Sequence, residues 1–314
     1  MVLFHISLSH LYCMLFHPLA ITINSNIIMW RLTLVLACVL LEIGCTEESN
    51  WTESNESKLI VEGWIEDGGF PVVIISRSLL VSTDYQDVHS LSDHIVRWAK
   101  VTVSDGSDSV VLTGKYDKGY FPPYIYTTTK IKGEVGKSYY LTAEYKDMRA
   151  SAKTTIPNIP NNCSFKVEKC TGSDTLFQIN ARFKDIPMEK NYYQFFTRVG
   201  TNTKQYLASY LGSIDDEVLE RETNITVYRG HQFREKGYIP YFLLDDTVSV
   251  KFSQVDETSF RIWDSYTKMQ SLSSNMFFST SSDIESNIIG GYGYWCGYGT
   301  ITNYIVIRDS IDLK

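Results

Sequence analysis

After residue 58 the chain turns to short β-branched and aromatic runs, some with a strict period of two, and these predict strands. Leu59-Ile60-Val61-Glu62-Gly63-Trp64-Ile65 is a β-branched and aromatic run that ends in the turn Glu66-Asp67-Gly68-Gly69. Pro71-Val72-Val73-Ile74-Ile75-Ser76 follows as a second strand. Val101–Ser104, the turn Asp105-Gly106-Ser107-Asp108 and Val110–Thr113 read as a hairpin, and Tyr139–Tyr145 with Arg149–Ile156 read as another, turning near Lys146-Asp147. Short strands at this spacing predict an immunoglobulin-like β-sandwich over residues 58–157. Pro157-Asn158-Ile159-Pro160-Asn161-Asn162 closes it as a stiff, turn-rich linker.

Residues 158–314 predict a second β-rich domain. Thr175–Phe183, Asn191–Val199, Val248–Phe252 and Tyr304–Ile307 read as strands. One stretch has a different period. From Glu257 to Leu272, Phe260, Trp263, Tyr266 and Met269 or Gln270 recur at three- and four-residue steps, which predicts an amphipathic helix near 257–272 with Asp256 as its cap. The expected fold class is therefore mainly β: a sandwich, then a β-rich domain with one helix.

The first 44 residues change the picture. They are strongly apolar, and Glu42 is the first acidic residue. From Met29 the chain reads Met-Trp-Arg, an uncharged run from Leu32 to Leu41, then Glu-Ile-Gly-Cys. A short basic start, an apolar core of about ten residues and a small residue before cysteine describe an export signal. The core is shorter than the ~20 apolar residues of a membrane-spanning helix. Residues 1–44 are expected to be this signal segment, with Met29 as the true start. Ile43-Gly44-Cys45 resembles the end of a bacterial lipobox, with Glu42 where a leucine is usual, so Cys45 is the expected lipidation site. Cys38 is a second candidate, but the core between it and Met29 is too short. Residues 45–57, polar and acidic, read as a tether unable to fold by itself.

Lys58–Ile65, Val101–Asp105, Asn191-Tyr192-Tyr193, Asp256–Trp263 and Ser286–Trp295, in that order, together resemble one family, the Bacteroidetes outer-membrane lipoproteins catalogued as domain-of-unknown-function family 4249. The resemblance spans nearly all of residues 45–307. It implies a companion of TonB-dependent outer-membrane transporters with a role in nutrient uptake, and it supplies no catalytic residues.

Composition narrows the chemistry. The formal charge is −7 and there is no basic run, which argues against a nucleic-acid partner. Cys163 and Cys170 are a possible disulfide in an exported protein, and Cys296 reads as a buried free thiol. No C-x-x-C, H-E-x-x-H or G-x-S-x-G pattern is present, so no metal, cofactor or catalytic residue is expected. The acidic groups Asp215-Asp216-Glu217 and Asp245-Asp246 lack the spacing of a calcium loop and read as solvated loops. The oddest stretch is Gly290–Gly299. Its Tyr292, Tyr294, Trp295 and Tyr298 are the expected contact residues if they form a stacking platform for a sugar or peptide; otherwise they fill a core on a kinked strand.

The expected protein is thus a non-enzymatic binding accessory of a TonB-dependent uptake system, lipid-anchored to the outer membrane and exposed at the cell surface. A surface hydrolase of glycans or peptides and a structural or adhesive envelope protein are the alternatives.

Overall fold

In Leu59–Glu66 (β1) the alternation sends Leu59, Val61 and Ile65 to one face and Trp64 to the other. Both faces of this strand are covered, so β1 is an interior element. The computed structural model describes residues 57–78, 94–161, 163–185, 190–216, 223–231, 237–273 and 284–308. The expected signal segment, Cys45 and most of the tether lie outside the described residues.

After β1 come Val72–Arg77 (β2), Lys100–Ser104 (β3), Ser109–Val111 (β4), Thr113–Tyr116 (β5), Tyr124–Thr127 (β6), Ser138–Tyr145 (β7) and Met148–Thr155 (β8). The later part of the chain gives Ser164–Lys169 (β9), Leu176–Phe183 (β10), Tyr192–Val199 (β11), Leu207–Asp215 (β12), Thr223–Val227 (β13), Phe242–Leu243 (β14), Thr247–Val255 (β15), Glu257–Ser273 (α1) and Gly291–Val306 (β16). The fold is mainly β, as the pattern predicts, and the single expected helix is present. Asp256 caps it: its Oδ1 accepts from the Ser259 N–H at 2.7 Å. The hairpins β3–β4 and β7–β8 form where expected, and Lys146 takes the left-handed conformation at the β7–β8 turn. Among the described residues no helix is long and apolar enough to cross a membrane.

Strand pairing does not follow the border expected at residue 157. An eight-stranded sheet runs β12-β11-β15-β16-β1-β2-β6-β5 and joins strands from both halves of the chain. Its joint is a parallel pair, β1 with β16, and β16 also pairs antiparallel with β15. Residues 55–314 accordingly form one compact unit. Two hydrophobic cores lie against this one sheet, which they share. The sheet β4-β3-β7-β8 covers one part of it, with Val61, Val73, Val101, Leu141 and Ala150 in the core between them. The sheet of β13, β10, β14 and β9 covers the other, around Phe183, Tyr193, Phe195 and Phe252. The Phe183 and Phe252 rings are 4.6 Å apart, and Phe195 stacks on Phe252 at 4.7 Å.

The glycine-rich stretch is the first half of β16, a central strand. Trp295 is fully buried in the core of the N-terminal sandwich, and its indole N–H donates to the Tyr139 carbonyl at 3.0 Å. Its partner on β1 is Gly63, where a Cβ would come within 2.8 Å of the indole. Two residues earlier, Gly293 has φ 105°, and a Cβ there would overlap the Val61 carbonyl oxygen. Glycine is required at both places to bring a tryptophan-bearing strand against β1.

The possible disulfide between Cys163 and Cys170 is corrected. Both are free thiols, one at each end of β9. An extended strand of this length holds them roughly 20 Å apart, against at most ~7 Å between bridged Cα atoms. Cys296 is a buried free thiol, as expected.

Two substitutions test the joint. Trp295→Ala lowers unfolding stability by about 3–5 kcal/mol, the usual loss for a buried tryptophan. Gly63→Val also destabilises, by driving two β-methyls into the indole. Denaturant unfolding with both variants measures this. Stability within 0.5 kcal/mol or so of the unaltered protein would place the joint elsewhere.

Candidate functional site

The face of the long sheet turned away from the two small sheets carries the second side chain of each pair along the strands. On β1 these are Glu62, Trp64 and Glu66; on β16 they are Tyr294, Cys296 and Tyr298. Helix α1 covers part of this face. Its Trp263 meets Phe196 of β11 at 5.3 Å and Tyr294 at 5.0 Å, and donates its indole N–H to the Tyr298 hydroxyl at 3.1 Å.

Beside the helix the face stays open as a cleft of about 210 Å³. Trp64, Val72, Tyr294 and Tyr298 lie on the sheet side, Trp263 on the helix side, and Phe70, Tyr120 and Tyr206 come from loops. Two loops close one side. Asp117–Pro123 joins β5 to β6, and Gly200–Tyr206 joins β11 to β12, so they start from opposite ends of the eight-stranded sheet. They nevertheless touch. The Gly119 carbonyl accepts from the Lys204 N–H (2.8 Å), the Gln205 N–H (3.1 Å) and the Thr203 hydroxyl (3.0 Å). The Phe121 N–H donates to Gln205 Oε1 at 2.9 Å, and Lys204 Nζ reaches Asp117 at 2.9 Å. That hydrogen bond holds the Asp117 carboxyl below its usual range. The sheet must curl strongly for its two ends to meet, and the cleft is the hollow of that curl.

One ion pair lies inside. Lys251 of β15 pairs with Glu66 of β1, their side chains only 14% and 21% exposed. The ammonium also stands 4.1 Å from the centre of the Tyr206 ring, and the Arg198 guanidinium is 4.7 Å from the same ring. The Tyr206 hydroxyl shares a hydrogen bond with Ser249 at 2.7 Å, and burial raises its phenol. Trp64 and Tyr120 face each other at 6.1 Å with their planes 42° apart. Burial raises the Tyr120 phenol, with the charges of Asp117 and Glu66 adding to it. Tyr294 and Tyr298 are raised well above the usual value, again by burial, so every hydroxyl here stays protonated at ordinary pH.

This arrangement suits binding. The described lining contains no serine, cysteine or histidine, and Glu66 is its single carboxylate. Cys296, behind the aromatic wall, has its thiol pushed up to about 12 by burial, which keeps it unreactive. Among the described residues no group of three His, Cys, Asp or Glu side chains is placed to hold a metal ion. A second depression, of about 520 Å³, lies over β9, β10 and β13. Its lining Glu168 is already taken by Lys166 at 2.7 Å and by Asn180 at 2.7 Å, and Asn180 also accepts from the neighbouring Thr226 at 2.9 Å. The aromatic cleft is the better candidate.

A family model for the Domain of unknown function (DUF4249) matches residues 46–303, which include the whole described cleft. The chain belongs to this family. A search of curated proteins finds no match. Of the contact residues expected in the DUF4249 chain, Tyr294 and Tyr298 line the cleft, Trp295 points into the opposite core, and Tyr292 is 50% exposed beneath the Lys58 ammonium at 5.2 Å. The period-two alternation of β16 divides them: a platform made of all four would need residues 294 and 295 on one face. The sequence reading missed Trp64, Glu66, Tyr120, Tyr206 and Lys251. A signal existed for Lys251, a cation in the middle of the strict alternation Val248-Ser249-Val250-Lys251-Phe252, whose polar face is here an inner one.

The titration of the DUF4249 fold carries a prediction. Glu62 lies between Ile74 and Tyr294 on this face, and burial raises its carboxyl. The folded protein holds that proton more tightly than the unfolded chain. Stability from this group is therefore greatest below the ordinary glutamate range and falls as the pH rises through the raised value. Glu62→Gln removes the effect. The variant melts at a higher temperature than the unaltered protein, and the gap widens with rising pH and vanishes at acidic pH. Thermal unfolding over a pH series checks this; a gap independent of pH would refute it.

A second prediction concerns the ion pair. Lys251→Met leaves the Glu66 carboxylate half-enclosed without its cation and costs about 1–3 kcal/mol. Adding Glu66→Gln recovers part of the loss, and a double-mutant cycle in denaturant measures the coupling.

Proposed function

We propose that this protein is a lipid-anchored outer-membrane lipoprotein of Bacteroidetes type, serving a TonB-dependent nutrient uptake system as a binding accessory without enzymatic activity. The observation that carries the binding role is the aromatic-walled cleft, which holds one internal ion pair and a single lining carboxylate. Glycoside hydrolysis ordinarily needs a pair of carboxylates across the bond, and acyl transfer needs a nucleophile beside a base. The described lining offers neither set.

The anchor is supported by the sequence. A short basic start, an uncharged core and Ile43-Gly44-Cys45 precede an acidic tether, and the family match begins at residue 46, next to Cys45. Acylation at Cys45 holds the folded unit at the bilayer through that tether, at the cell surface, within reach of a transporter.

Purification from native membranes tests both parts. Mass spectrometry finds a fatty-acylated Cys45 as the first residue, Cys45→Ser moves the protein to the soluble fraction, and a transporter barrel co-purifies with the lipidated form. A bare thiol would overturn the anchor. A lone monomer that cleaves a glycan or peptide library would overturn the accessory role.

A further inference from the structure

We infer that the cleft takes one neutral pyranose ring, free or at the end of a longer sugar, stacked on its aromatic wall and held by Glu66 and Lys251. This rests on the reading of the cleft as a ligand site and goes further by naming the ligand class.

Size sets the first limit. The cleft, at about 210 Å³, is smaller than the roughly 300–1,000 Å³ of sites for drug-sized molecules, so it admits a single ring. A peptide needs an open groove along several residues, and the contact of Asp117–Pro123 with Gly200–Tyr206 closes that side. The walls set the second limit. Trp64 and Tyr120, at 6.1 Å and 42°, diverge as a wedge. A pyranose has one face of C–H groups that lies flat on such a ring and a rim of hydroxyls that does not. A purely apolar ligand would take water from the Glu66–Lys251 pair and leave its remaining donors and acceptors unmet, which is unfavourable.

The polar pair selects the rim. A carboxylate is an acceptor only, and an ammonium is a donor only. Adjacent hydroxyls of a sugar each donate and accept, so two of them can bridge Glu66 and Lys251 without separating the two charges. The neutrality of the pair disfavours a charged ligand, which would have to break it. Lys204, the other lining cation, is already engaged by Asp117. Trp64 and Trp263 both line the cleft and report on occupancy by fluorescence.

Calorimetry and tryptophan fluorescence of the detergent-solubilised full chain test this against neutral hexopyranosides, the matching hexuronic acids and short peptides. The expected result is saturable binding of at least one neutral sugar with a change in fluorescence. Glu66→Gln and Tyr120→Ala each weaken it about tenfold or more. Lys166→Ala, in the separate depression over β9 and β10, changes it less than threefold or so. Tyr120 sits on a loop, so its variant keeps the test valid if Glu66→Gln fails to fold. A hexuronic acid that binds more tightly than its neutral counterpart would assign the site to anions and overturn the proposal. A peptide that binds in place of sugars, and is weakened by Tyr120→Ala, would overturn the sugar and keep the cleft as a ligand site. No binding of neutral sugars at millimolar concentration overturns it as well. The accessory role stands or falls separately, on co-purification with a transporter.

Discussion

The parallel pairing of β1 with β16 is the constraint on which the molecule depends. The two strands come from opposite ends of the described chain, and each takes its second neighbour, β2 or β15, from its own half. Trp295 secures the register. Its indole fills the N-terminal core over Gly63, and its backbone N–H and carbonyl are both held by the Asn287 side chain, at 2.9 and 2.7 Å. A slip of one residue would turn this tryptophan to the cleft face and put Tyr294 in its place. Contacts so distant in sequence form late and carry a large closure entropy. That entropy is offset by one of the largest buried side chains in the protein.

The joint also decides where a ligand can sit. Once β16 links β15 to β1, the strands of both sandwiches become one sheet, and its accumulated twist brings the loops at its two ends together. The cleft is not lodged within either sandwich. It exists because two sandwiches share a sheet, with Glu66 from the first half and Lys251 from the second. The ion pair therefore links the halves as well as furnishing the cleft. Its partial burial makes it costly to leave either charge alone, which fixes both side chains in position.

The aromatic richness of the chain has two separate uses. Phe183, Phe195 and Phe252 are tightly packed between sheets, with ring centres from 4.6 to 6.2 Å apart. Trp64, Tyr120 and Tyr206 keep part of their surface open around a polar pair. Composition alone gives both groups the same appearance. Only the first is closed on every side.

The sequence by itself determined the local elements. β-branched and aromatic runs located β1, β2 and β11, alternation located β10 and β15, and turn residues located the hairpins β3–β4 and β7–β8, because each of these patterns is local. Three- and four-residue steps and Asp256 located α1, because helix period and capping are local properties. Of the aromatics in the glycine-rich run, Tyr294 and Tyr298 line the cleft, and Trp295 fills a core, the other outcome that run left open. What the tertiary structure alone decided is which strand lies beside which. No local pattern announces that β16 adds in parallel to β1, that Cys163 and Cys170 are separated by a strand, or that Glu66 meets Lys251 across residues 66 to 251 of the chain. A period of two states that a strand has an inner face; it carries no record of the partner that covers it.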